Sequence, residues 1–262
     1  MSRYAAMFAR GEGVFGAFVM LGDPDPAAGA EILDALVEGG ADMIEVGIPF
    51  SDPVADGPVI QAAARRALDA GTRPADCFAL LAAFRARHPR TPVGILAYAN
   101  LVVARGRDAF YGRAAQAGVD SVLVADVPLI EAAPFAAAAR AHGVEPVLIA
   151  AANTPPERLR AIARLGCGYT YCVARTGVTG ADDTVRVDHR EMFEALREAG
   201  APPPILGFGI ARPEHVRAAL AAGATGAISG SAIVERIAAG LPVAPFVREM
   251  KAATLCRAAA IG

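Results

Sequence analysis

The sequence predicts an α/β fold of the (β/α)8 type, a TIM barrel with additional short N-terminal and loop helices, spanning 1–262 as one domain. Three observations predict it. Eight short runs rich in Val, Ile, Leu, Phe and Tyr recur along the chain, and each is followed by a stretch whose apolar residues have helical spacing. The runs start mostly about 25 residues apart, the period of a strand-helix unit. The length of 262 residues also matches the roughly 250 residues of such a barrel.

The runs are, in order, Phe15–Leu21, Met43–Ile48, Val93–Tyr98, Val119–Ala125, Glu145–Ala150, Tyr169–Val173, Pro204–Phe208 and Ala224–Ile228. Helical spacing follows the first at Ala30, Ile32, Leu33, Leu36 and Val37, and the second at Phe78, Leu80, Leu81 and Phe84. Glycines close these stretches at Gly39–Gly40, Gly118, Gly143, Gly166, Gly200 and Gly223. Strands that are apolar almost throughout imply burial on both faces, hence a parallel sheet with right-handed crossovers. An open doubly wound sheet would carry G-x-G-x-x-G after its first strand, where this chain has Gly22-Asp23-Pro24.

The N-terminal MSRYAAMFARGEG has charges where a signal peptide needs an apolar run, and it predicts a short amphipathic helix. The uncharged run Ala218–Val234 is broken by glycines, Thr225, Ser229 and Ser231, and fits a buried strand with a turn better than a membrane span. The longest gaps follow strands two and six. Segments Gly47–Pro74 and Ala174–His189 therefore extend the face on which barrels build function.

Composition narrows the function classes. The charge of −2 comes from 25 basic and 27 acidic residues in mixed groups, with no Trp and 6% aromatics. Neither a basic patch nor a stacking platform for nucleic acid follows. Cys77, Cys167, Cys172 and Cys256 lack C-x-x-C spacing, so reduced buried thiols in a cytoplasmic protein are expected, with no metal site. His88, His142, His189 and His215 sit near predicted helix ends, where they cap or lie on solvated faces. The Arg65–Arg66 pair reads as a solvated helix face, and no Ser-His-Asp, P-loop or H-E-x-x-H pattern is present.

Glu45 interrupts an apolar strand and shares a face with Met43 and Gly47, pointing into the barrel. Desolvation there raises a carboxyl toward values suited to proton transfer, although a structural carboxylate has the same pattern. Asp52 and Asp56 lie in Gly-Ile-Pro-Phe-Ser-Asp-Pro-Val-Ala-Asp-Gly-Pro, which either fixes a catalytic side chain or simply supplies turns and a helix cap ahead of Pro58. Gly177, Gly180, Gly207, Gly209, Gly226 and Gly230 gather around strands six to eight, and Ser231 opens a short helix. That location suits a phosphate held by backbone amides.

Taken together, several motifs resemble the tryptophan synthase alpha subunit family. They are Ile44-Glu-Val-Gly-Ile-Pro-Phe-Ser-Asp-Pro-Val-Ala-Asp-Gly-Pro58, Tyr98-Ala-Asn-Leu101, Asp120-Ser-Val-Leu-Val-Ala-Asp-Val-Pro128, Thr176-Gly-Val-Thr-Gly180, Gly207-Phe-Gly-Ile210 and Gly226-Ala-Ile-Ser-Gly-Ser231. They occur in the family's order over nearly the whole chain. The first is long and specific, whereas the last two suit several phosphate-binding barrels. Departures are an N-terminal segment shorter than in some relatives, Ala151-Ala152 in place of a Pro-containing stretch, and Arg175 at a variable position.

The resemblance implies retro-aldol cleavage of indole-3-glycerol phosphate to indole and glyceraldehyde 3-phosphate. Glu45 would be the general acid-base, and Asp56 the carboxylate that holds the indole N–H. The implied substrate-binding residues are Phe18, Leu96, Tyr98, Leu123, Ile149, Tyr171 and Phe208 for the ring, with Gly180, Gly209, Gly230 and Ser231 for the phosphate. Thr179, in a mobile lid over Ala174–His189, would touch Asp56. The implied partner is a beta subunit in an alpha2-beta2 complex that carries the pyridoxal phosphate and receives indole through a tunnel, so this chain needs no cofactor. Pro49, Asp52, Asn100, Leu101 and Pro128 would face that partner. Competing readings are a phosphosugar isomerase, a regulatory module, and a lyase that releases indole without a partner.

Overall fold

The computed structural model describes residues 1–173 and 189–255. Its strands are β1 (Val14–Met20), β2 (Met43–Gly47), β3 (Val93–Ala97), β4 (Ser121–Val124), β5 (Glu145–Ala151), β6 (Thr170–Val173), β7 (Pro204–Gly207) and β8 (Gly226–Ser229). They pair in parallel, each with the next, and β8 pairs with β1 to close the barrel. The predicted strands thus lie where expected, with ends moved by no more than two residues.

The helices among the described residues are α1 (Arg3–Phe8), α2 (Pro26–Glu38), α3 (Pro58–Asp69), α4 (Pro74–Arg87), α5 (Ala99–Val103), α6 (Arg107–Gln116), α7 (Ala132–Ala141), α8 (Pro156–Leu165), α9 (Arg190–Glu198), α10 (Pro213–Ala222), α11 (Ser231–Ala238) and α12 (Val243–Ala252). Starts at Pro26, Pro58, Pro74, Pro156 and Pro213 follow from the fixed φ of proline, which suits the first helical turn and costs no hydrogen bond there. Asp25 caps α2 by accepting from Ala27 and Ala28 N–H. The expected N-terminal and loop helices are α1, α5 and α11.

Strand alternation sorts the apolar residues into two sets. Phe15, Ala17, Val19, Ile44, Val46, Val93 and Ile95 pack outward against the helices. Phe18, Met20, Met43, Leu123, Val147, Tyr171, Ile205 and Ile228 pack inward, joined by Tyr4, Met7 and one face of α3. Charged clamps secure the N-terminal ends of the strands. Asp42 accepts from Arg10, Lys251 and Phe15 N–H, while Asp120 accepts from Arg3, Arg85 and Val93 N–H.

Two minor expectations are corrected. Arg66 is not a solvated face residue: it forms a two-pronged pair with the buried Asp23 at 2.7 and 2.8 Å, tying the loop after β1 to α3. The sequence gap between them, 43 residues, hid that contact. Cys77 and Cys172 are buried, but Cys167 is exposed, and Cys256 lies outside the described residues. The histidines do sit at helix ends: His88 and His142 end α4 and α7, His189 precedes α9, and His215 Nδ1 accepts from Ala211 N–H beside α10.

Candidate active site

Glu45 is the central residue of β2, flanked in register by Phe18 of β1 and Gly94 of β3. Only 1% of it is exposed. The Tyr169 hydroxyl, one residue before β6, donates to Glu45 Oε1 at 2.6 Å. The second oxygen, Oε2, is buried and has no hydrogen-bond partner among the described residues. Burial raises the carboxyl to about 7, against the opposing pull of the Tyr169 donor. A group at that value gives and takes a proton with nearly equal ease at neutral pH.

Asp56 lies in the loop between β2 and α3 and is 7% exposed. The loop is tightly turned: Val54 N–H donates to Asp52 O and Asp56 N–H to Pro53 O, each at 3.0 Å. Gln61 Nε2 donates to Asp56 O at 2.7 Å. Asp56 is not a helix cap, because Gly57 occupies the cap position and makes no side-chain cap bond. Its carboxyl is raised to about 6 by burial, partly offset by a hydrogen bond from the Tyr98 hydroxyl. That hydroxyl also accepts from Ala55 N–H at 3.2 Å, and the Tyr98 ring stacks on Phe50. Asp52, by contrast, is exposed and accepts from Ser51 Oγ.

Tyr171 of β6 ties the two carboxylates into one site. After burial, the charges of Glu45 and Asp56 are what raise its phenol further, so it lies within electrostatic reach of both. Its ring meets Phe208 edge-on at 6.2 Å. A side chain on Gly207 would place Cβ 2.2 Å from the Tyr171 hydroxyl, so glycine there is what admits the phenol. Phe208 adopts φ 68°, a left-handed conformation costly for a non-glycine residue and held by its surroundings.

Phe18, Leu96, Leu123 and Phe208 belong to the inward set with Tyr171. Ile149, adjacent to Tyr171 in register, shares the inward parity of Val147 and Ala151. It is 38% exposed, so an apolar side chain on the inner wall meets open space. Gly230 precedes α11 and abuts Phe18, with Ser231 as the first helical residue; Gly209 has φ 72°. The amides of this first turn have no intrahelical acceptors and suit an anion. Thr179 and Gly180 lie outside the described residues.

The structure therefore brings Glu45, Asp56, Tyr171, Phe18, Phe208 and Ile149 to one region, and gives Tyr98 a place against the Asp56 loop. Sequence reasoning missed Tyr169 as the partner of Glu45. The signal was there, since Tyr169 has the same strand parity as Tyr171. Among the described residues, no group of three His, Cys, Asp or Glu is placed to hold a metal ion.

The family model described as "Tryptophan synthase alpha chain" matches residues 4–257. The chain belongs to this family. A tryptophan synthase alpha chain from Shewanella oneidensis is 54% identical over 97% of this chain and 95% of its own length. Among solved structures, tryptophan synthase from Mycobacterium tuberculosis is similar with a TM-score of 0.87 and 30% identity, covering 97% of this chain and 96% of its own. A Pyrococcus furiosus structure, described as showing mutual activation in the tryptophan synthase a2b2 complex, has a TM-score of 0.83 and 36% identity, covering 94% and 98%.

Proposed function

We propose that this chain cleaves indole-3-glycerol phosphate to indole and glyceraldehyde 3-phosphate, with Glu45 as the acid-base and Asp56 as the stabilising carboxylate. The observation that carries the reading is the state of Glu45: buried in the barrel, raised to about 7, bonded through one oxygen and unbonded through the other.

The reaction needs two carboxyl groups of unlike character. Protonated Glu45 gives its proton to the ring carbon that bears the glycerol chain, producing an indolenine cation. Asp56, raised only to about 6, is mostly ionised at neutral pH, accepts the indole N–H and stabilises that charge. Glu45, now a carboxylate, takes the proton from the adjacent glycerol hydroxyl. The carbon–carbon bond breaks as the carbonyl of glyceraldehyde 3-phosphate forms, and the bonding pair returns to the ring. Proton and electron pair balance, and no cofactor is required in this chain.

Phe18, Leu96, Leu123, Ile149, Tyr171 and Phe208 form the ring slot, and Tyr98 holds the Asp56 loop against it. Gly209, Gly230 and Ser231 hold the phosphate through backbone amides. The family resemblance assigns Gly180 to the phosphate and Thr179 to contact with Asp56; both lie outside the described residues. The chain acts as one domain over 1–262, in the cytoplasm, within an alpha2-beta2 complex whose beta subunit carries pyridoxal phosphate. Exposed Asp52, Asn100, Pro128 and Ile130, after β2, β3 and β4, supply the docking edge.

The test is indole release from indole-3-glycerol phosphate by the purified chain, with and without a beta subunit. Release stimulated by the partner supports every part of the reading. High release by the chain alone, unchanged by the partner, favours a stand-alone lyase. No release under either condition from folded protein overturns the proposal.

A further inference from the structure

Tyr4 of α1 is 1% exposed, although it lies on a helix of only six residues near the start of the chain. Its hydroxyl shares a 2.9 Å hydrogen bond with Ser121 Oγ at the beginning of β4. Its ring packs on Tyr169, with centroids 5.4 Å apart and planes inclined by 56°. The slot it enters is cut by two glycines. A Cβ on Gly94 would lie 2.5 Å from Ser121 Oγ and 3.0 Å from the Tyr4 hydroxyl, and one on Gly168 would lie 3.3 Å from Tyr4 Cδ2. Gly94 is also the register neighbour of Glu45.

These contacts lie at the N-terminal ends of β3, β4 and β6, opposite the face that receives the substrate. They form a continuous path from α1 through Tyr4 and Tyr169 to Glu45 Oε1. We propose that Tyr4 and Tyr169 are positioning residues: α1 holds Tyr169 from beneath, and Tyr169 holds one oxygen of Glu45 so that the other is presented for proton transfer.

The inference rests on Glu45 being the acid-base. A flexible glutamate samples several rotamers, and fixing one oxygen leaves the second in a defined place for the reacting carbon and hydroxyl. The ionisable groups around the path are Tyr4, Tyr169, Tyr171 and Glu45, with Asp120 and Glu145 further along beside Tyr4. Burial first, and then the Glu45 carboxylate it faces, oppose ionisation of the Tyr169 phenol, so Tyr169 stays a donor across the working range.

Two measurements test it, both on the full chain with its beta subunit. In the first, indole release is followed for Tyr169→Phe, Tyr4→Leu and the double variant. Tyr169→Phe is expected to lower kcat about tenfold, with KM changed less than about twofold, and Tyr4→Leu to lower kcat several-fold. Because both act along one path, the double variant should match Tyr169→Phe alone. Effects that multiply, or an unchanged kcat in Tyr4→Leu, overturn the proposal. Ser121→Ala, which frees only the Tyr4 hydroxyl, replaces Tyr4→Leu in the cycle if that variant does not fold, and the same two outcomes decide.

The second measurement needs no substrate: the Glu45 carboxyl is titrated by carbon-13 NMR, assigned with Glu45→Gln. Loss of the Tyr169 donor should move its midpoint up by about half a pH unit or more. An unmoved midpoint overturns the brace. If the wild-type complex releases no indole, the functional reading fails, while the titration still reports on whether Tyr169 holds the carboxyl.

Discussion

Glu45 and Asp56 are both carboxyl groups raised by burial, yet they are held in different ways. Glu45 stands on a strand, its backbone paired on both sides and its side chain enclosed by the barrel wall. Asp56 stands on a loop whose shape comes from short turns, Gln61 and the Tyr98 hydroxyl. The strand supplies a fixed, dry place in which proton affinity rises to about 7; the loop supplies a place where it rises only to about 6. The difference suits one group to shuttle a proton and the other to remain charged.

The sharpest test of that contrast is Glu45→Gln. The amide cannot carry a proton, so indole release should fall by about a thousandfold or more while the fold and phosphate binding persist. Near-normal turnover would remove Glu45 from the chemistry. Asp56→Asn should lower kcat by about a hundredfold or more, through loss of a charge near the developing cation. An effect mainly on KM would instead make Asp56 a binding residue.

Stability should respond in the opposite sense to activity. Both carboxyl groups have folded values above their unfolded ones, from 4.5 to about 7 and from 3.8 to about 6. The protonated forms are thus favoured on folding: the native state is supported fully below about pH 4, and that support is lost as pH rises through the folded values. Thermal unfolding of Glu45→Gln should show stabilisation on the order of 1–3 kcal/mol at pH 8, and much less at pH 5. Equal effects at both pH values would mean that the carboxyl is not raised.

Smaller effects refine the comparison. Tyr98→Phe removes the donor that lowers Asp56, so the acidic limb of the kcat profile should move up in pH, with a several-fold loss of rate at pH 6. No movement would separate Tyr98 from Asp56. Cys77→Ser, in the outward core and far from either carboxyl, should cost about 1 kcal/mol of stability with kcat unchanged, as read by unfolding and by indole release.

Much of this was legible in the linear order of residues. Strand parity placed Glu45 inside the barrel, and the family resemblance pointed to Phe18, Leu123, Ile149 and Tyr171 as its neighbours. Ala174–His189, singled out for Thr179 and Gly180, falls almost entirely outside the described residues. Less legible were contacts between distant segments that no local period encodes. Tyr4 with Ser121, Tyr169 with Glu45 and Asp23 with Arg66 are separated by 117, 124 and 43 residues. Their meeting depends on barrel closure and strand stagger rather than on local propensity.

By itself, the sequence determined the strand-helix alternation, the inward side of the second strand through Glu45, and the loop that carries Asp56. Hydrophobic period and the conformational limits of Pro and Gly act over a few residues and can be read one after another. Only the tertiary structure decided which oxygen of Glu45 is held, that Tyr98 serves the Asp56 loop, and that α1 reaches the acid through Tyr4. Proton affinity and side-chain orientation arise from burial and from partners brought together in space, and both exist only once the barrel has closed.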